Sequence, residues 1–293
     1  MPLAMAPASE NFSRNTLIPQ SGGETCATCR GEMAAQSPPA YVYALGKIEW
    51  RFPNQSVEKE FTQVTARTET AGQTDREAIH TVLTQRQNRY LVRQLCWILT
   101  IEGLETYILA PRDPADLDLL VEAVRPAPSP MDVDVIIGMR GPIAPPELCN
   151  GLMLPIVAFD QIYSFDRSAL IQGIPRPETI PAKQFSQTCE ELFERIMQMA
   201  DNAGATDEHR ALNYLAVRYP AIYATAAEAY GRSCSLTGVE ARLSRLSSTR
   251  KIVDVIFTFT NRSTDVTEKY FIRVDVTEEF PFLVTKLLPY FDR

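Results

Sequence analysis

The chain has 293 residues, 45% of them hydrophobic and 22% charged, with a net charge of −7 at pH 7. This length allows one large domain or two ordinary ones, and the composition is that of a folded protein rather than a disordered one. The acidic balance argues against a broad nucleic-acid or anionic-membrane surface, because each needs a dominant basic face.

No apolar run approaches the roughly 20 residues of a membrane-spanning helix. The strongest, "GLMLPIVAF", is interrupted by Pro155 and followed by Asp160. The N-terminal residues lack both a basic segment and a continuous apolar one, so no signal peptide is expected. Six cysteines, at 26, 29, 96, 149, 189 and 234, are too sparse for a disulfide framework, and a cytoplasmic location is expected.

Residues 1–39 read as a flexible tail carrying the pair Cys26 and Cys29 in "ETCATCRGE". From Tyr41, "YVYALGKIEW" reads as a strand. "SVEKEFTQVTAR" follows as a helix with Ser56 as its N-cap, and a second helix starts near Thr74. "LCWILTIEGLETYIL" reads as a hairpin turning at Glu102–Gly103. "RDPADLDLLVEAV" reads as a helix capped by Asp113 with Pro114 at its first position. "DVDVIIGMRG" and "LMLPIVAFDQIYSF" supply two more strands, joined by "PIAPPELCN".

The prolines of "GIPRPETIPAK" mark a boundary. Beyond it, helices are expected from about Ser186 to Ala203 and from Thr206, the second kinked or restarted at Pro220. "GVEARLSRL", "KIVDVIFTF" and "EKYFIRVDV" then form an antiparallel meander, and Pro281 and Pro289 suggest a docked terminal turn. The expected fold is therefore α+β in two packed lobes: strands and helices over 40–172, then two long helices and the meander over 183–293.

Motifs for chemistry are scarce. The chain has no Gly-rich dinucleotide loop or P-loop, no G-x-S-x-G, no HExxH and no kinase signatures. Its two histidines, His80 and His209, read as solvated helix residues. Cys26 and Cys29 could be half of a zinc site, a redox pair or neither. A redox pair belongs at a helix N-terminus after a strand, which this tail does not offer. Tetrahedral zinc needs two further ligands, and Cys96 and Cys149, each at the start of a predicted strand, are the best placed to supply them. Cys189 sits on a helix stripe and reads as core packing, whereas Cys234 follows a helix end. A structural zinc on Cys26, Cys29, Cys96 and Cys149 would pin the tail to the first lobe.

The blocks "YVYALGKIEWRFPNQSVEKEF", "NRYLVRQLCWILTIEGLETYILAPRDPADLDLLVEA", "GPIAPPELCNGLMLPIVAFDQIYSF" and "MQMADNAGATDEHRALNYLAVRYPAIYA" resemble the C-terminal domain shared by the cyanobactin maturation proteases PatA and PatG. The closing "TRKIVDVIFTFTNRSTDVTEKYFIRVDVTEEFPFLVTKL" fits the same family. In that family the domain, itself of unknown function, follows a subtilisin-like protease acting on a ribosomally made precursor peptide. No subtilisin triad segment occurs here, so protease activity is not implied. The chain is then a free-standing relative or part of a larger polypeptide. The resemblance implies a non-catalytic accessory or recognition module in ribosomal-peptide (RiPP) biosynthesis, with a precursor peptide or a subtilisin-like maturation protease as partner. Nucleic acid and membranes are not expected partners, and a homodimer is open. The rival readings are a metal-dependent peptide-modifying enzyme and a structural or oligomerisation module.

Overall fold

A computed structural model of the chain describes residues 40–291, except 69, 71, 177, 179, 199 and 200. The tail expected over 1–39 lies outside the described residues. The chain is α+β.

β1 (Tyr41–Arg51) serves two partners in turn. Its first half pairs antiparallel with β4 (Asp132–Ile143), from Tyr41↔Met139 to Gly46↔Asp134. Its second half pairs antiparallel with β2 (Cys96–Ile101), from Lys47↔Thr100 to Arg51↔Cys96. The changeover falls at Gly46, where a Cβ would stand 2.5 Å from the carbonyl oxygen of Thr100. Only glycine lets the two backbones approach that closely. Asp134 braces the bend: its carboxylate accepts the Ile48 N–H at 2.7 Å and the Ser164 hydroxyl at 2.6 Å.

The β1–β2 connection carries α1 (Gln55–Arg67), α2 (Asp75–Thr84) and α3 (Arg89–Gln94). Asn54, rather than the expected Ser56, caps α1, because its side-chain oxygen reaches the N–H groups of both Ser56 and Val57 at 3.0 Å. α2 starts at Thr74 as expected, and Thr74 caps it in a reciprocal capping box with Glu77. The expected hairpin turns through Glu102 and Gly103, both at positive φ, into β3 (Leu104–Pro111). Asp113 then accepts the Ala115 N–H at 2.8 Å and leads into α4 (Leu117–Ala123).

β5 (Pro155–Asp166) pairs antiparallel with β4 and parallel with β3, which closes a barrel in the order β1-β2-β3-β5-β4. That order, with one parallel pair and a helix between the third and fourth strands, is the connectivity of an OB barrel. Val42, Leu99, Leu109, Ile136 and Phe159 fill the interior, and Phe61, Val82, Leu91 and Leu120 of α1–α4 join the same cluster.

After α5 (Arg167–Gln172) come α6 (Ala182–Met197), α7 (Asp207–Arg218) and α8 (Ala221–Gly231). α6 starts earlier than expected, directly after Pro181. Pro220 divides α7 from α8, since proline lacks an N–H and disfavours helix in the residue before it. β6 (Cys234–Leu243), β7 (Ile252–Asn261) and β8 (Thr267–Asp275) form the expected meander. Two short strands, β9 (Phe282–Leu283) and β10 (Leu288–Pro289), pair with β8.

One face of the meander, with Val253, Val255, Phe257 and Ile272, meets Leu192, Phe193, Leu212 and Leu215 of the helices. The same core takes in Tyr43, Leu45, Val135 and Ile137 from the outer wall of the barrel. A polar seam crosses this apolar joint. Tyr43 donates its N–H to Gly204 O at 2.9 Å, and Asn213 Nδ2 donates to Tyr43 O at 2.8 Å. Asn202 Nδ2 in turn donates to Asn213 Oδ1 at 2.8 Å. Among the described residues, no helix is long and apolar enough to cross a membrane.

Candidate functional site

Cys96 opens β2, and Cys149 lies in the loop between β4 and β5. A disulfide joins them, with the Cα atoms 5.7 Å apart. Around it Ile98, Ile108 and Ala144 form a small buried cluster, with Leu152, Leu154 and Ile156 packed against it. Sulfurs bonded to each other are not thiolates, and cysteine binds zinc as the thiolate. Cys26 and Cys29, the other two expected ligands, lie outside the described residues. Among the described residues, no group of three or more His, Cys, Asp or Glu side chains is placed to hold a metal ion.

The loop over 144–154 has a second consequence. It packs on the outward side of β2, β3 and β5, leaving Ile98 1% and Ile108 4% exposed. OB barrels use the β2–β3 face for oligonucleotides and oligosaccharides. Here that face is filled by the chain's own residues, so space for a ligand lies elsewhere.

A cleft of about 550 Å³ opens where β1 bends. Lys47 and Thr100 line it from the barrel, and Arg167, Phe193 and Met197 line it from the helices. This size suits a small molecule or a short stretch of peptide. Two polar atoms at the cleft, Thr100 Oγ1 and Arg167 Nε, are buried without a hydrogen-bond partner. The rest of the Arg167 guanidinium is held in place: Nη2 lies 3.5 Å from Glu194 Oε1, and the group sits 5.6 Å over the Phe193 ring. Lys47 Nζ donates to Pro130 O at 3.2 Å. Glu49, Glu102 and Glu194 also line the cleft, so its charge is mixed and does not select an anion.

A second hollow of about 410 Å³ lies beside the meander, lined by Arg195, Leu236, Gly238 and Val239. Gln198, just past the end of α6, lines both spaces. Among the described residues β6 pairs with β7 alone, so its other side is an unpaired strand edge. The β6–β7 register shifts between Leu236 and Gly238, at the hollow itself.

Cys189 is fully buried in α6, as its helix stripe implied, and burial, with Glu190 adding, pushes its thiol up to about 12. Cys234 is also buried. His209 differs from its reading as a solvated residue. It is half-buried with Nδ1 unpartnered, and burial lowers its pKa. Sequence reading missed the cleft, because Thr100, Arg167 and Gln198 belong to separate elements and carry no motif.

Curated proteins give no match. Among solved structures, the chain is similar to one described as "PatG Domain of Unknown Function", with a TM-score of 0.70 over 86% of this chain and 98% of that one. The two are 21% identical, so this likeness speaks for the fold. Residues 179–290, which contain α6 to β10, match the family model of the PatG C-terminal domain, the family that the sequence blocks resemble.

Proposed function

We propose that the chain is a non-catalytic recognition module of ribosomal-peptide (cyanobactin-type) maturation, acting in the cytoplasm and binding a precursor peptide or a partner maturation enzyme. One observation carries the reading: Gln198 lines both hollows, and the second lies against β6, an edge strand of its sheet among the described residues. An extended peptide can add to a free strand edge through its main chain while alternate side chains enter adjoining spaces. The PatG family match supports the biosynthetic setting, and it spans the elements that build the β6 edge.

Calorimetric titration with a precursor peptide and with a subtilisin-like maturation protease tests the proposal. Saturable binding to either, well above that of an unrelated peptide of equal length, is expected. Binding to neither overturns it.

For the reduced chain we retain zinc on Cys26, Cys29, Cys96 and Cys149 as a structural metal. The convergence of Cys96 and Cys149 favours it, because two cysteines that can bond to each other can also, as thiolates, face one metal. Protein purified with reductant should then hold about one equivalent of zinc, lost on Cys149→Ser. Less than about half an equivalent rejects the site.

A further inference from the structure

Asp160 on β5 and Glu279, in the turn after β8, meet where the barrel faces the end of the meander. Arg112 bridges them: its Nη1 lies 2.9 Å from Asp160 Oδ1 and 3.6 Å from Glu279 Oε2. The remaining oxygens, Asp160 Oδ2 and Glu279 Oε1, are both buried and neither has a donor. Two facing carboxylates offer acceptors only, so one proton between them supplies the missing hydrogen bond and relieves the like-charge repulsion.

The other charged groups nearby come from α7 and β1. Arg210 is 2% exposed and gives its protons to main-chain carbonyls, Val276 O at 2.7 Å, Glu279 O at 3.2 Å and Glu278 O. Its charge is shared with Asp207 at 3.4 Å and lies over the ring of Tyr41. Asp207 is also paired with Lys251 at 3.1 Å. Among the described residues, Arg112 is therefore the single cation in contact with both carboxyls.

The segment that leaves this point covers one edge of the meander. β9 and β10 are only two residues each, and they are the partners of β8 on that side. Val284 N–H donates to Arg273 O at 2.9 Å and Tyr290 N–H to Lys269 O at 2.8 Å, and side chains add Arg273 N–H to Thr285 Oγ1 at 3.1 Å and Leu287 N–H to the Tyr219 hydroxyl at 3.2 Å.

We propose that a proton on Glu279, facing Asp160, acts as a pH-sensitive clamp, which fastens the C-terminal segment over the β8 edge and loosens when Glu279 ionises. Burial first, and then the adjacent Asp160 carboxyl, push Glu279 up to about 7. A pKa raised on folding means that the proton stabilises the folded state. The gain is complete below the ordinary glutamate range and is lost as pH rises through about 7.

Hydrogen exchange of the stretch 282–290, corrected for intrinsic rates, tests the clamp in the full chain. Between pH 6 and pH 8 its opening should increase about tenfold, as follows from a midpoint near 7. In Glu279→Gln, which cannot ionise, the change should fall to about twofold or less. A flat wild-type response, or equal responses in wild type and variant, overturns the proposal. If Glu279→Gln does not fold, Glu279→Met, which also removes the ionisable group, takes its place. Carbon-detected NMR titration of wild-type Glu279 gives an independent reading, and a midpoint in the ordinary carboxylate range also overturns the proposal.

Discussion

The N–H of Ile48 donates to the carboxylate of Asp134 at 2.7 Å, at the point where β1 leaves β4 for β2. A side chain thus takes over a main-chain donor just past the bend that closes the barrel. Asp134 is 5% exposed, and burial raises its pKa, although the Ser164 hydroxyl and the Ile48 N–H both favour the ionised form. Asp134→Ala leaves both donors without their acceptor and should destabilise the fold by roughly 2–4 kcal/mol. Asp134→Asn, which keeps an acceptor oxygen, should cost about half of that. Urea unfolding of the two variants checks the difference.

Gly204 has φ +68, and a Cβ there would stand 2.3 Å from the carbonyl oxygen of Tyr43. The clash is with backbone that already takes part in the seam between the barrel and the helices, so it has little room to give. Gly204→Ala should lower stability by about 2 kcal/mol or more. Gly231, at the end of α8, has open space around the same position. There the alanine change should be neutral or stabilising by up to about 1 kcal/mol. Thermal melting of the pair gives opposite or clearly unequal shifts.

In oxidised protein, Cys149→Ser removes a cross-link that closes a separation of 53 residues and should destabilise by roughly 2–4 kcal/mol. Reductant should shrink the gap between wild type and variant, because it opens the same bond in the wild type. Unfolding curves with and without reductant measure both effects.

Cys189 should stay unlabelled when native protein meets iodoacetamide at about pH 8, because burial both hides the thiol and keeps it protonated. Denaturant should make it react fully. Peptide mass spectrometry reads the outcome, and rapid native labelling would contradict the buried helix stripe.

Gln198→Trp adds bulk at the residue that lines both hollows. It should weaken precursor-peptide binding by about tenfold or more while leaving the melting temperature close to that of wild type, since Gln198 is an exposed residue beyond α6. Calorimetry and melting on the same sample separate the two readouts.

Much of the local structure was legible because its causes are local. The reciprocal contacts of Thr74 and Glu77, the Glu102–Gly103 turn and the alternation in β7 and β8 each act within a few residues. The cap of α1 was misplaced by two residues because Asn54 and Ser56 are both good caps, and only the observed backbone shows that Asn54 reaches the free N–H groups. Within the block "MQMADNAGATDEHRALNYLAVRYPAIYA", the seam explains Asn202, Gly204 and Asn213, and the grip of Arg210 on the segment after β8 explains a fourth residue.

By itself the sequence determined the α+β class, most element positions and the resemblance to the PatG C-terminal domain, since periodicity, caps and long specific blocks survive without tertiary contacts. Only the tertiary structure decided that β1 is shared between two strands, that Cys96 meets Cys149, and that Asp160 faces Glu279. The physical reason is the same in each case. These are meetings between segments far apart in the chain, fixed by backbone approach at Gly46, by closure of the barrel and by burial. No pattern of neighbouring residues encodes them.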